Sequence, residues 1–163
     1  MTECTVLRKI HNQNVVGYID DFETVNHSYL VLEYCNDGDM EQYMQKKKGR
    51  VVCEEEALDV FKSLLNGFQG LHEHNVIHRD LKLANLLRHN GLIKIADLGF
   101  AKELKDEKQL VGTILGTSLT MAPEVLEGLK YGMDADVYRY IIITTKKIVN
   151  QNIAEYISIL PTN

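Results

Sequence analysis

Between Glu54 and His74 the apolar residues Leu58, Phe61, Leu64, Leu65, Phe68 and Leu71 recur at three- and four-residue steps. That spacing gathers them on one stripe and predicts the longest helix of the chain. Glu54, Glu55 and Glu56 suit the positive end of its dipole, and Asn75 stops it. The helix then hands the chain directly to the stretch His78-Arg79-Asp80-Leu81-Lys82-Leu83-Ala84-Asn85-Leu86-Leu87. Beyond it, Asn90-Gly91 separates two strand-like runs, 85–88 and 92–96, a strong hairpin signal. A long helix followed by a hairpin mixes α and β elements, and the expected fold class is α+β.

The segments on either side agree. Val6, Leu7 and Ile10 fall at helical spacing, with Asn12 to Asn14 as a stop. This helix starts at the first residues with no capping approach, and so reads as the end of an element that begins earlier. Val15 to Ile19 and Tyr29 to Leu32 read as a strand pair joined by the polar stretch Glu23 to Ser28. Asp39 follows a turn cluster and is placed to cap a short helix whose Met40, Tyr43 and Met44 face the core, with Gly49 ending it. Gly112 to Thr120 is irregular, and Pro123 sits in the first turn of a short helix from Met121 to Leu126. The last twenty-six residues hold seven isoleucines, no glycine and little assignable pattern.

Composition excludes several functions. A net charge of −5 argues against a general nucleic-acid binder, and Lys46, Lys47, Lys48 and Arg50 read as a solvated helix end. Cys4, Cys35 and Cys53 match no metal spacing and suit a reducing compartment. No signal peptide precedes the fold, and the longest apolar run, Tyr140 to Ile143, is too short to cross a bilayer. The expected location is cytoplasmic.

The polar residues of the loop carry chemistry. Asp80, Lys82 and Asn85 are joined by a second acid in the turn Asp97-Leu98-Gly99. Two carboxylates in different roles, a cation and an amide are what phosphoryl transfer asks of a protein. Asp80 would accept a proton from a substrate hydroxyl. Asp97 would hold Mg²⁺, Asn85 would offer a neutral oxygen to a second Mg²⁺, and Lys82 would offset charge developing on the γ-phosphate.

The loop resembles the catalytic loop of protein kinases, H-R-D-L-x-x-x-N. With Asp97-Leu98-Gly99 and Ala122-Pro123-Glu124 following in the family's order, residues 3–136 resemble a eukaryotic protein kinase domain of serine/threonine type. The strings from Leu30 to Cys35 and from Ile95 to Ala101 are most similar to autophagy-initiating kinases. The resemblance implies a partial small lobe at 1–33 (the end of helix C and a strand hairpin), a hinge at 34–39, and the first part of a mainly helical large lobe at 40–136. Its activation segment would run from 97 to 124, and 137–163 would be a divergent tail.

The same resemblance assigns Glu3 to the helix-C glutamate that pairs with a strand-three lysine, and Leu32 to the gatekeeper. It assigns the Glu33 carbonyl and Cys35 amide to the adenine edge, Leu87 to the adenine floor and Asp39 to the ribose. Arg79 would meet a phosphate on the segment, with Thr113 the matching phosphosite. Thr117 would bond the Asp80–Lys82 pair, Glu124 would close the segment, and Asp136 would brace the catalytic loop from below. ATP, Mg²⁺, a protein substrate bearing Ser or Thr and an activating partner are implied; nucleic acid is not.

The sequence departs from the family in three ways. No G-x-G-x-x-G occurs, and no lysine precedes Glu3. After Asp136-Val137, where the family has a tryptophan and then Ser and Gly, Tyr138-Arg139-Tyr140-Ile141 follow, with no arginine placed to pair with Glu124. Leu98 replaces a phenylalanine, Leu83 a proline, and Ser118 and Thr120 stand where Pro and Tyr are frequent. A domain interrupted at its central helix is expected to expose apolar surface and to be marginally stable. Two readings follow: an ATP- and Mg²⁺-dependent serine/threonine kinase, or a non-catalytic kinase-like fragment that binds a partner or nucleotide. A small-molecule phosphotransferase is disfavoured by Arg79, Lys82 and the Ala122-Pro123-Glu124 motif.

Overall fold

A computed structural model describes residues 2–47, 52–106, 108–115 and 121–144. Helix α1 (Thr2–Leu7) leads to the antiparallel pair β1 (Tyr18–Glu23) and β2 (Ser28–Leu32), then α2 (Met40–Lys46) and the long α3 (Glu54–His72). Strand β3 (Val76–Ile77) pairs with β6 (Lys102–Glu103), and β4 (Leu86–His89) with β5 (Leu92–Ile95); α4 (Pro123–Leu126) and α5 (Asp134–Ile142) complete the described chain. Gly49, Thr117 and the tail beyond Thr144 lie outside the described residues. No helix among them is long and apolar enough to cross a membrane.

Local sequence explains most elements. The Asp39 carboxylate caps α2 by accepting from Gln42 N at 2.8 Å, which satisfies an otherwise unpaired first-turn amide. Asn90 (φ 50°) and Gly91 (φ 81°) both take left-handed backbone between β4 and β5, as a two-residue hairpin turn requires. Met40 and Met44 are buried as expected. Arg88 of β4 lies over the Tyr43 ring at 3.7 Å and fastens α2 to the hairpin.

Two expectations are corrected. The first strand starts at Tyr18 rather than Val15, because Val15 and Val16 are buried against β5, where Val16 N donates to Ile95 O at 2.9 Å. On α3, Leu64, Phe68 and Leu71 are buried, but Leu58, Phe61 and Leu65 are 48%, 40% and 54% exposed. The inner face instead uses Ala57, Val60, Gly67 and Gly70. At Gly67 a Cβ would stand 2.7 Å from Asn14 O and 2.9 Å from Ile95 Cδ1, so helix and β5 approach too closely for a side chain.

The main core fills the space between α1, α2, α3, the β4–β5 hairpin and the loop residue Leu81; a second cluster joins Ile77, Leu104 and Val111 to Ala122, Val125, Tyr131 and Ala135. Asn14 stitches the N-terminal segment to the rest. Its Nδ2 donates to Ile93 O (2.7 Å), its Oδ1 accepts from Asn66 Nδ2 (2.7 Å), and its carbonyl accepts from Ile95 N (2.8 Å).

Candidate active site

Strand β3 delivers the loop, and β4 takes the chain away from it. Between them Asp80, 2% exposed, holds Lys82 Nζ at 2.7 Å and receives the Asn85 amide on its carbonyl (2.9 Å) and its carboxylate (3.3 Å). A short 3₁₀ turn, Leu83–Asn85, brings Asn85 back towards Asp80. Both Asn85 contacts use its nitrogen, so its carbonyl oxygen stands apart from them. Lys82 is half-exposed and Asp80 buried, which places an ammonium at the mouth of the site and a carboxylate behind it.

The loop is fixed from below and behind. Asp136, on the first turn of α5 and 2% exposed, accepts from His78 N at 2.5 Å and Arg79 N at 3.0 Å. His78 is fully buried; its Nδ1 accepts from Asp80 N (3.3 Å), which leaves the proton on Nε2 for Ala96 O (3.0 Å). His78 thus ties this loop to the strand end that carries Asp97. Sequence reasoning assigned it no role; its signal was the apolar company of Val76, Ile77 and Leu81, which marks a buried ring in need of polar partners.

Arg79 (φ 69°) and Asp97 (φ 62°) occupy left-handed backbone, a conformation that costs a side-chain-bearing residue roughly 1–2 kcal/mol. Arg79 Nε donates to Phe100 O at 2.6 Å. Asp97 is exposed, its Oδ1 accepting from Gly99 N at 3.3 Å. Glu3 reaches this turn from α1: its Oε1 accepts from Leu98 N at 3.2 Å, and among the described residues it forms no ion pair with a lysine. Sequence reasoning missed this contact, because it spans ninety-five positions and ends on a backbone amide.

The second group of expected residues gathers at the end of β2. The stretch 37–39 and the hairpin are hydrogen-bonded, Asp37 N to Arg88 O at 3.1 Å and Arg88 N to Gly38 O at 2.8 Å, and Asp39 bridges to Leu87. Leu87 pairs across the hairpin with Lys94, whose buried ammonium meets Glu33 Oε1 at 3.0 Å. Burial opposes ionisation of Glu33, but Lys94 and the Gly17 amide outweigh it and hold the carboxyl below its ordinary range. Leu32 is half-buried at the end of β2. The Cys35 thiol is pushed up by burial and then by the Glu33 charge, which makes it a poor nucleophile. All three cysteines are free.

Further along the segment, Thr113 is exposed and its carbonyl accepts from Tyr131 Oη at 2.6 Å. Glu124 is half-buried in α4, with no carboxylate ion pair among the described residues. Arg139, which sequence reasoning did not place in the site, is 2% exposed and donates through Nη2 to Leu115 O at 3.1 Å.

Comparison with known proteins gives a consistent result. A family model described as the protein kinase domain matches residues 1–157. Serine/threonine-protein kinase Nek3 of Mus musculus is 34% identical over 83% of this chain and 27% of its own length. Serine/threonine-protein kinase ATG1b of Arabidopsis thaliana is 40% identical over 85% of this chain and 20% of its own length. Serine/threonine-protein kinase PLK4 of Drosophila persimilis is 35% identical over 83% of this chain and 18% of its own length. The chain therefore spans about a fifth to a quarter of these curated relatives.

Proposed function

The chain belongs to the protein kinase domain family, and from that premise we propose that it carries the catalytic residues of a serine/threonine protein kinase, which transfers the γ-phosphoryl group of ATP to a protein hydroxyl. The observation that carries the reading is the Asp80–Lys82–Asn85 cluster, an acid that holds both a cation and an amide. Asp80 is the base for the substrate hydroxyl. Lys82, half-exposed beside it, faces the side from which a phosphate would come and stabilises the charge of the transfer.

Asp97 and Asn85 fit a magnesium ion. Both offer hard oxygen ligands, Asp97 on an exposed turn and Asn85 through the carbonyl that its contacts with Asp80 do not use. Bound there, the ion would neutralise phosphate charge. Three further observations support the reading: Asp136 and His78 fix the loop, and the left-handed backbone at Arg79 and Asp97 keeps that local strain beside the reacting groups. For the nucleotide, Leu32, Glu33, Cys35, Asp39 and Leu87 form the adenine and ribose side; Asp39 caps α2 with one oxygen and has the other for a ribose hydroxyl. The free cysteines suit a cytoplasmic setting.

A nucleotide-binding role without transfer is the alternative. Glu3 favours it, because its carboxylate is engaged by the Leu98 amide, in the turn that carries Asp97. Phosphate transfer from labelled ATP to a Ser- and Thr-bearing protein decides between them. Transfer is expected to fall by at least about 100-fold in Asp80→Asn. Transfer that survives the substitution overturns the assignment of Asp80, and nucleotide binding with no transfer in the parent chain selects the alternative.

A further inference from the structure

We propose that Arg139 and Tyr131 latch the segment Val111–Leu115 to the base of the catalytic loop without any phosphate, which makes Arg139 a positioning residue of the site. The inference rests on the kinase reading for its functional meaning, though not for its geometry. Three alternate carbonyls of one extended stretch are taken by this one row of donors. Val111 O accepts from Tyr131 N (2.9 Å), Thr113 O from Tyr131 Oη (2.6 Å) and Leu115 O from Arg139 Nη2 (3.1 Å), and Val111 N returns a bond to Tyr131 O (2.7 Å). The stretch is held like a strand, by backbone groups on every second residue. The Thr113 side chain, between two of these anchors, stays exposed and takes no part.

Arg139 stands where the family resemblance expects a serine. Its second terminal nitrogen, Nη1, is buried and makes no hydrogen bond among the described residues, and the guanidinium forms no ion pair within 4.0 Å there. A buried cation so incompletely paired is unfavourable by itself. What it gains is its position on α5: Asp136 and Arg139 lie three residues apart on one helical face. One holds the loop amides and the other holds the segment. Burial draws the guanidinium below its ordinary value, and the charges of Asp136 and then Asp80 oppose that, so the cation lies within electrostatic reach of the base. Arg79 does the same at the other end, at Phe100 O. Arg79 and Arg139 thus each hold a backbone carbonyl, at Phe100 and at Leu115.

Hydrogen exchange of the unphosphorylated full chain tests this without requiring turnover. The Val111 and Tyr131 amides are expected to be protected in the parent. Arg139→Ser and Tyr131→Phe should each speed exchange around residues 109–115 by about tenfold, with α3 unchanged, and Arg139→Lys should restore part of the protection. Thr113→Ala should change nothing. Exchange in Arg139→Ser and Tyr131→Phe equal to the parent's overturns the latch, as does a Thr113→Ala effect as large as theirs, or protection that appears only after Thr113 is phosphorylated. If Arg139→Ser unfolds the chain, seen as lost α3 protection, the milder Tyr131→Phe decides. Loss of the latch leaves the Asp80 assignment standing, and a chain that transfers no phosphate still reports on the latch.

Discussion

Replacing Asp136 by alanine removes the acceptor of two buried amides at once, His78 N at 2.5 Å and Arg79 N at 3.0 Å. A hydrogen bond to a charged group contributes about 1.5–3 kcal/mol, and water cannot readily replace the carboxylate at a position 2% exposed. With some relaxation of the loop, the expected loss is about 3–5 kcal/mol. That is a large part of the roughly 5–15 kcal/mol that stabilises a typical domain. It corresponds to a fall in Tm on the order of 10 °C for a chain of this size. Asp136→Asn should recover only part of the loss, since its amide keeps one acceptor oxygen and turns an N–H towards the other donor. Urea denaturation followed by far-UV circular dichroism measures the change, and hydrogen exchange locates it at His78 and Arg79. A midpoint for Asp136→Ala within the equivalent of about 0.5 kcal/mol of the parent would refute the reasoning, because it would mean the two amides find other partners.

Two other consequences can be measured. Burial raises the Tyr140 phenol well above its ordinary value of 10.0, so the unfolded chain ionises first. Stability contributed by this group is therefore complete below about pH 10 and falls as pH climbs beyond it. Urea midpoints taken from pH 8 to 11 should show that decline, and Tyr140→Phe, which keeps the packing on Phe61 and Phe68, should make it shallower. On the outer face of α3, Leu58→Glu with Leu65→Glu should reduce self-association in light scattering at a stability cost of less than about 1 kcal/mol; unchanged scattering would show that this stripe does not drive association.

The sequence was most informative where function or geometry depends on a local pattern. Asn90-Gly91 could hardly be anything but a hairpin turn, Asp39 stood where a cap belongs, and the loop singled out for its polar residues does bring Lys82 and Asn85 onto Asp80. It was least informative where contact depends on what a distant segment brings. Periodicity placed Leu58, Phe61 and Leu65 on the buried stripe, whereas close approach by Asn12, Asn14 and Ile95 selects the glycine-bearing face. Hydrophobicity marks what prefers to be buried; it does not mark where two backbones come together. Val15 and Val16 were legible as apolar but not as partners of β5. Arg139 was harder still, since an arginine on a short helix normally reaches solvent, and only its place three residues after Asp136 hinted otherwise.

The Asn14 stitch has a mechanical consequence. The stretch 37–38 is bonded to β4 at Arg88, and Asn14 with Val16 is bonded to Ile93 and Ile95 of β5. A body attached at two separated points swings about the line through both, as a door does on two pins, and cannot twist freely as it would on one. The unit of α1, β1 and β2 is held more firmly still, because Val6, Leu7 and Ile10 pack into the main core and Lys9 pairs with Glu103 at 2.7 Å. The Glu3 bond to the Leu98 amide adds a further attachment, at the turn that carries Asp97. Any movement of α1 away from that turn has to release it.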